Sequence, residues 1–196
     1  MTPSFYYPVK PHKLNQEWGR YDPKTYSQFG FTRHNGQDVN LINGQPISAP
    51  FAGTCVRTGN QPSGGGIFLG VMSEEFEFKD GKYRVLADFL HCKELLITEG
   101  TKVKVGDIIA LGDNTGFSTG PHTHVQWRRA SFWNGWTGDK LTWVNPDKNE
   151  ANNSFDPEPY FNGEYAVDFA KVRNEAVQAI SLAQRIILQV KKFLKL

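Results

Sequence analysis

Between residues 34 and 128 the chain consists of short β-forming segments interrupted by turn signals, a rhythm that suits an antiparallel sheet and not a helical bundle. Asn35-Gly36, Asn43-Gly44 and Asp80-Gly81 are dipeptides that favour tight hairpin turns. Strands are expected at Gly53–Thr58, Gly66–Met72, Tyr83–Leu90, Asp107–Leu111 and His122–Arg128. The alternation in Lys102-Val103-Lys104-Val105 suits a half-buried strand or the lead-in to one. Nineteen glycines, 11 prolines and 13% aromatic residues agree with a turn-rich β body.

The 196 residues, 39% hydrophobic and 21% charged, are enough for one ordinary domain with a real core plus an appendage. A net charge of +2 gives no reason to expect nucleic acid as a partner. Cys55 and Cys92 form no disulfide framework and lack Cys-x-x-Cys spacing. They read as two small buried residues, with a single disulfide between them left open. The N-terminus carries no basic and apolar leader pattern, and no apolar run reaches the ~18 residues that would cross a bilayer.

Three regions flank or interrupt the β pattern. Residues 1–30 are aromatic and turn-rich and are expected to wrap onto the main body. From 129 to about 155, Phe132, Trp133, Trp136 and Trp143 stand among Asn, Gly, Asp and Lys with little periodicity. That stretch reads as a long loop, either packed on the sheet or serving as a substrate wall. Beyond it, Phe169, Val172, Ala176, Ile180, Ala183, Ile187, Val190 and Leu194 recur every three or four residues, which predicts an amphipathic helix from about Glu164 to Phe193. The expected division is therefore a β domain over 1–162, including the aromatic insertion, and a helical segment over 163–196. The apolar stripe suits packing on the body, self-association or a partner helix better than a membrane surface. Lys191, Lys192 and Lys195 suit the end of such a helix.

Four of the five histidines are ordered in a way that suits one metal-assisted site. His34 and Asp38 lie four apart in His34-Asn35-Gly36-Gln37-Asp38. On a straight strand they would be ~13 Å apart, too far to share an ion, and a tight turn at Asn35-Gly36 is expected to fold them back together. His122 and His124 are two apart, so on a strand both imidazoles enter one groove. They could supply two ligands, or one ligand and one base. His91 closes the run from Tyr83 to Leu90, and alone it would read as an ordinary satisfied histidine. Imidazole and carboxylate are donors that zinc accepts.

With these residues in view, the chain resembles the lysostaphin-type (LytM-like) zinc endopeptidases that cut peptide crosslinks of bacterial peptidoglycan. The resemblance runs from about Leu14 to Arg128, with a further match at Phe155-Asp156-Pro157. Its blocks are His34-Asn35-Gly36-Gln37-Asp38-Val39, Ile47-Ser48-Ala49-Pro50-Phe51-Ala52-Gly53, Leu90-His91, Gly100–Asp107 and Gly112–His124. It implies a mainly β, antiparallel sheet or sandwich core with a substrate groove. It also implies one zinc ion on His34, Asp38 and His124, with His122 and His91 as the catalytic histidines. The family has a tyrosine where this chain has Phe89, a change that would remove a hydroxyl from the substrate's reach, and a leucine where this chain has Cys92.

The resemblance implies an endopeptidase acting on peptidoglycan peptides at the cell wall, in a phage or bacterial lysin. Without a leader in this chain, delivery would fall to a holin, a virion or another route. The alternatives are a non-catalytic wall-binding or regulatory module of the same fold and a virion-associated wall-penetrating hydrolase. The full ligand set favours an active enzyme. The expected groove walls are the loops at Gln61–Gly66 and Gly112–Gly120 and the stretch Trp133–Trp143.

Overall fold

In the computed structural model, residues 1–132, 142–144 and 153–166 are described. The N-terminal region contributes β1 (Phe5–Tyr7), β2 (Leu14–Gln16) and a one-turn helix, α1 (Pro23–Tyr26). The body follows as β3 (Gln37–Asn40), β4 (Pro46–Ser48), β5 (Gly53–Gln61), β6 (Gly66–Ser73), β7 (Phe76–Phe78) and β8 (Gly81–Leu95). It continues through β9 (Lys102–Val103), β10 (Ile108–Gly112), β11 (His122–Phe132), β12 (Thr142–Val144) and β13 (Phe161–Tyr165).

Each expected strand is present, and most run further than the sequence pattern suggested. The main sheet has the order β2-β3-β11-β8-β6-β5-β9, with β10 pairing both β4 and β8. Its pairings are antiparallel. The stretch from Lys102 to Val105 shortens to a two-residue strand, with Val103 buried and Val105 exposed.

Residues 1–30 do wrap onto the body. Strand β1 pairs in parallel with β13, while β2 adds to the edge of β3. Phe5, fully buried, stacks on Trp127 with ring centroids 5.0 Å apart. Phe51 meets the same indole edge-on at 6.0 Å. Fully burying side chains of this size contributes about 1.5–3 kcal/mol each, so Trp127 and its ring neighbours are a main source of stability.

Strand periodicity separates two faces of this sheet. On β11, Thr123, Val125 and Trp127 point into the core, and Ala87 and Phe89 of β8 and Leu69 and Val71 of β6 join them. The opposite face carries His122, His124, Gln126 and Arg128 and forms the floor of a cleft. Further along that face, Met72, Leu86, Ala130 and Val56 make a small apolar cluster of their own.

Two expectations need correction. Glu164 and Tyr165 lie in β13, paired with β1, so no helix begins at Glu164. The rest of the expected helix, from Val167 on, lies outside the described residues, as do Trp133 and Trp136 of the aromatic stretch. Phe89 is buried in the core, so a hydroxyl there would face packed side chains and not a substrate. Cys55 and Cys92 are both free and fully buried, as the simpler reading of them had it. Among the described residues, no helix is long and apolar enough to cross a membrane.

Candidate active site

The site is built on β3 and β11, whose register sets Asp38 directly opposite His124. Directly opposed residues in an antiparallel pair bring their Cβ atoms to about 4.5–5.5 Å, within joint reach of one small ion. His34 arrives from the segment just before β3. That segment is tied to its neighbour by His34 N–H donating to the Arg20 carbonyl and Gly19 N–H to the His34 carbonyl, each at 2.9 Å.

Asn35-Gly36 does not make the expected left-handed turn, because neither residue has positive φ. Gly36 serves by leaving room. A Cβ there would lie 2.6 Å from His124 Nε2 and 2.6 Å from the Val125 carbonyl oxygen. The bend thus lets the chain pass against the His124 ring while His34 and Asp38 converge on it.

Three donor atoms meet. His34 Nε2 lies 3.1 Å from Asp38 Oδ1 and 3.0 Å from His124 Nδ1, and His124 Nδ1 lies 2.9 Å from Asp38 Oδ1. These are the residues among the described ones that could hold a metal ion together. A tetrahedral zinc with bonds of about 2.0–2.1 Å needs its ligands about 3.3 Å apart, so the triangle fits that ion with little adjustment. The far nitrogen of His34, Nδ1, donates to the Glu17 carbonyl at 2.8 Å. That bond fixes the tautomer and leaves the Nε2 lone pair aimed at the shared point.

Burial opposes the charge on Asp38, yet the close His124 and His34 ring nitrogens outweigh it and hold the carboxyl far below the usual carboxylate range. Burial likewise holds His124 below the ordinary histidine value. An ionised carboxylate and neutral imidazoles are the protonation states that metal binding requires.

His122 and His91 stand beside this triangle with ring centroids 4.7 Å apart. His122 Nδ1 donates to the Gly120 carbonyl at 2.8 Å, and His91 Nδ1 to the Thr115 carbonyl at 2.7 Å. With Nδ1 donating, Nε2 is the atom of either ring that can accept a proton. His122 Nε2 is 3.6 Å from Asp38 Oδ1. Burial pushes His91 down to about 4, with the neighbouring His122 and His124 adding to the shift and the Thr115 bond opposing it.

His91 reaches the cleft through an irregularity. Leu69 pairs with Phe89 but Ile67 with Cys92, so three steps on β8 match two on β6. This bulge, with His91 at φ 62°, moves a side chain that simple alternation would send to the core onto the cleft face. Cys92 takes the core position in its place.

The cleft has a volume of about 450 Å³. Gln61, Gly64 and Gly65 line one wall, and Phe117, Ser118 and Thr119 another, as two of the three expected loops would have it. The third, Trp133–Trp143, cannot be placed as a wall, since residues 133–141 are outside the described ones. Sequence reasoning missed Tyr26, Phe29 and Phe31 from the N-terminal region, and Arg57 and Arg128 from the sheet. The Tyr26 ring stacks on His34 with centroids 5.5 Å apart. Its phenol, bonded to Gln16, is pushed up to about 12 by burial and by the charge of Asp38. For Arg128, strand parity with His122 and His124 was the available signal.

Known proteins are similar to this chain in fold or in sequence. The catalytic domain of lysostaphin from Staphylococcus simulans superposes with a TM-score of 0.55 at 26% identity, covering 76% of this chain and 91% of that domain. Glycyl-glycine endopeptidase ALE-1 of Staphylococcus capitis is 32% identical over 111 residues, which is 57% of this chain and 29% of the relative. Peptidoglycan DD-endopeptidase ShyA of Vibrio cholerae is 31% identical over 93 residues, covering 47% of this chain and 20% of its own length. The chain thus spans under a third of the length of these two relatives. The family model described as Peptidase family M23 matches residues 32–140, from just before His34 to well past His124. The chain belongs to peptidase family M23, a family of metallopeptidases.

Proposed function

We propose that this chain is a zinc-dependent endopeptidase that hydrolyses peptide bonds of bacterial peptidoglycan, acting at the cell wall as a lysin of phage or bacterial origin. The convergence of His34 Nε2, Asp38 Oδ1 and His124 Nδ1 within 2.9–3.1 Å of one another carries the reading. Relatives named as glycyl-glycine and peptidoglycan DD-endopeptidases support the substrate class.

In this reading His34, Asp38 and His124 hold the ion. Zinc held by these three side chains would supply a more acidic water and a polarised carbonyl. The remaining chemistry is proton handling by the chain. His122 takes the proton of the attacking water at Nε2, because that atom lies beside Asp38 and its ring is braced from behind by the Gly120 carbonyl. His91, neutral and anchored on Thr115, steadies the developing oxyanion or serves the leaving amine. The 4.7 Å between the two rings allows both to act on one peptide bond.

The test is digestion of purified sacculi by the zinc-loaded chain and by the same chain after chelation. Zinc-dependent release of fragments with new amino termini is expected, and their masses identify the bond. Binding to sacculi with no fragments released, whatever the metal content, would instead establish a non-catalytic wall-binding module.

A further inference from the structure

Thr115, in the loop that forms one wall of the cleft, has a second role beside the bond to His91. Its carbonyl accepts from His91 Nδ1, while its side chain works elsewhere. The Thr115 hydroxyl accepts the Ile67 N–H of β6 at 3.0 Å and donates to the Cys92 carbonyl of β8 at 2.7 Å. Ile67 and Cys92 face each other in register at the edge of the bulge. The hydroxyl therefore stands between the two strands where the bulge disturbs their ladder.

His91 needs such support. A histidine at φ 62° lies in the left-handed region that a Cβ disfavours, and a backbone of this kind persists only where its surroundings fix it. Its N–H donates to the Gly65 carbonyl at 2.8 Å, and its carbonyl accepts from the Asp113 N–H at 3.1 Å. The carbonyls on either side accept from threonine hydroxyls, Leu90 from Thr123 at 3.1 Å and Cys92 from Thr115 at 2.7 Å. Thr115 differs from these other partners in also holding the imidazole.

Close backbone approach fits the loop to the strands. Gly66 at φ 63° and Gly116 at φ 76° pass each other without side chains. A Cβ on Gly66 would lie 2.4 Å from the Thr115 hydroxyl oxygen, and one on Gly116 would lie 2.3 Å from the Gly66 nitrogen. Phe117 N–H donates to the Gly64 carbonyl at 2.7 Å. Further along, the Gly120 carbonyl holds His122 Nδ1. One short segment thus braces both histidines and supplies the wall residues Phe117 and Ser118.

We infer that Thr115 is a positioning residue for the reaction: its hydroxyl ties the loop to β6 and β8, and so fixes the carbonyl that aims His91 at the cleaved bond. The inference rests on the catalytic reading of His91 given above. On an untied loop the carbonyl could still accept from the ring, but not in one fixed geometry. A displacement of about 1 Å at a reacting group can cost about 10²-fold in rate.

The test separates placement of the ring from folding and from metal binding. In the zinc-loaded full chain, Thr115→Val removes the hydroxyl at nearly constant shape, and Thr115→Ser keeps it. Initial rates of amino-group release over a range of sacculus concentrations give kcat and KM. Thr115→Val is expected to lower kcat by about 10- to 10²-fold with KM and zinc content unchanged, and Thr115→Ser to recover most of the loss. Proton NMR of the imidazole N–H groups gives a readout apart from activity. The His91 Nδ1–H signal should shift or exchange away in the valine variant and return in the serine variant, with the His122 Nδ1–H signal in place throughout. Where valine prevents folding, Thr115→Cys, whose thiol bonds only weakly, is read by the same criteria. An unmoved His91 signal in the variant without the hydroxyl overturns the inference. So does loss of both imidazole signals, an equal kcat loss in the serine variant, or a fall in zinc content. The expected NMR changes in a chain that cuts no sacculi would leave the placement of His91 by Thr115 standing and remove the catalytic reading.

Discussion

The two faces of β11 follow opposite rules. On one, Thr123, Val125 and Trp127 are buried among apolar side chains, with the Thr123 hydroxyl satisfied by the Leu90 carbonyl. On the other, His122, His124, Gln126 and Arg128 crowd polar and charged groups onto a cleft floor. A single strand thus serves stability with its odd-numbered residues and chemistry with its even ones. The core face holds the backbone still, and that rigidity is what allows ligand atoms to sit within 3.1 Å of one another. Changes on the cleft face should therefore alter activity with little effect on folding, and changes on the core face should do the reverse.

The largest effect should come from the ligand triangle. Replacing His34, Asp38 or His124 with Ala should abolish both stoichiometric zinc and turnover, read by metal analysis beside a digestion assay, while the β signature in circular dichroism persists. Loss of zinc with retained turnover would end the proposed division of labour. On the core face, Trp127→Ala should cost about 3–5 kcal/mol in denaturant unfolding, since it empties the site on which Phe5 and Phe51 pack. The fraction that stays folded should still bind zinc. Next in size, His122→Ala and His91→Ala should lower turnover by about 10²-fold or more at unchanged zinc content. Full turnover in the His122 variant would remove it from the mechanism.

This comparison also explains what could be read from the sequence. Expected strands matched because their periodicity is local, and His122 and His124 fell on one face for the same reason. His34, Asp38 and His91 were legible only as members of a set shared with a family. For His91 the local pattern pointed to the core, and a bulge spanning Phe89–Cys92 reversed it. The Asn35-Gly36 pair was recognised for the right convergence but the wrong cause, since its glycine makes space for His124 instead of turning the chain. Arg57 escaped notice because alternation from the buried Cys55 would send it to the core, and a register shift between the two residues brings it to the cleft instead. Tyr26 lies in a region without periodicity, so only its fold against β3 reveals it.

The smallest expected effect concerns Cys92, which the same bulge delivers to the core one residue after His91. Burial pushes its thiol up to about 12, and that of Cys55 up to about 11. Thiolate is the reactive form, so neither residue should react with an alkylating reagent at pH 8 in the native chain, and both should react in denaturant. The sign of the linked stability follows from the raised values. Below about 9 the thiols are neutral in folded and unfolded chains alike, and their contribution is fully present. Above that, the unfolded thiols ionise first, so stability falls as pH rises toward 11–12. A Cys55→Ala, Cys92→Ala double variant should flatten that alkaline decline without changing zinc content. Fast native labelling of Cys92 would show that the strand opens at the bulge, and would mean that His91 is not held on the cleft face by a closed core.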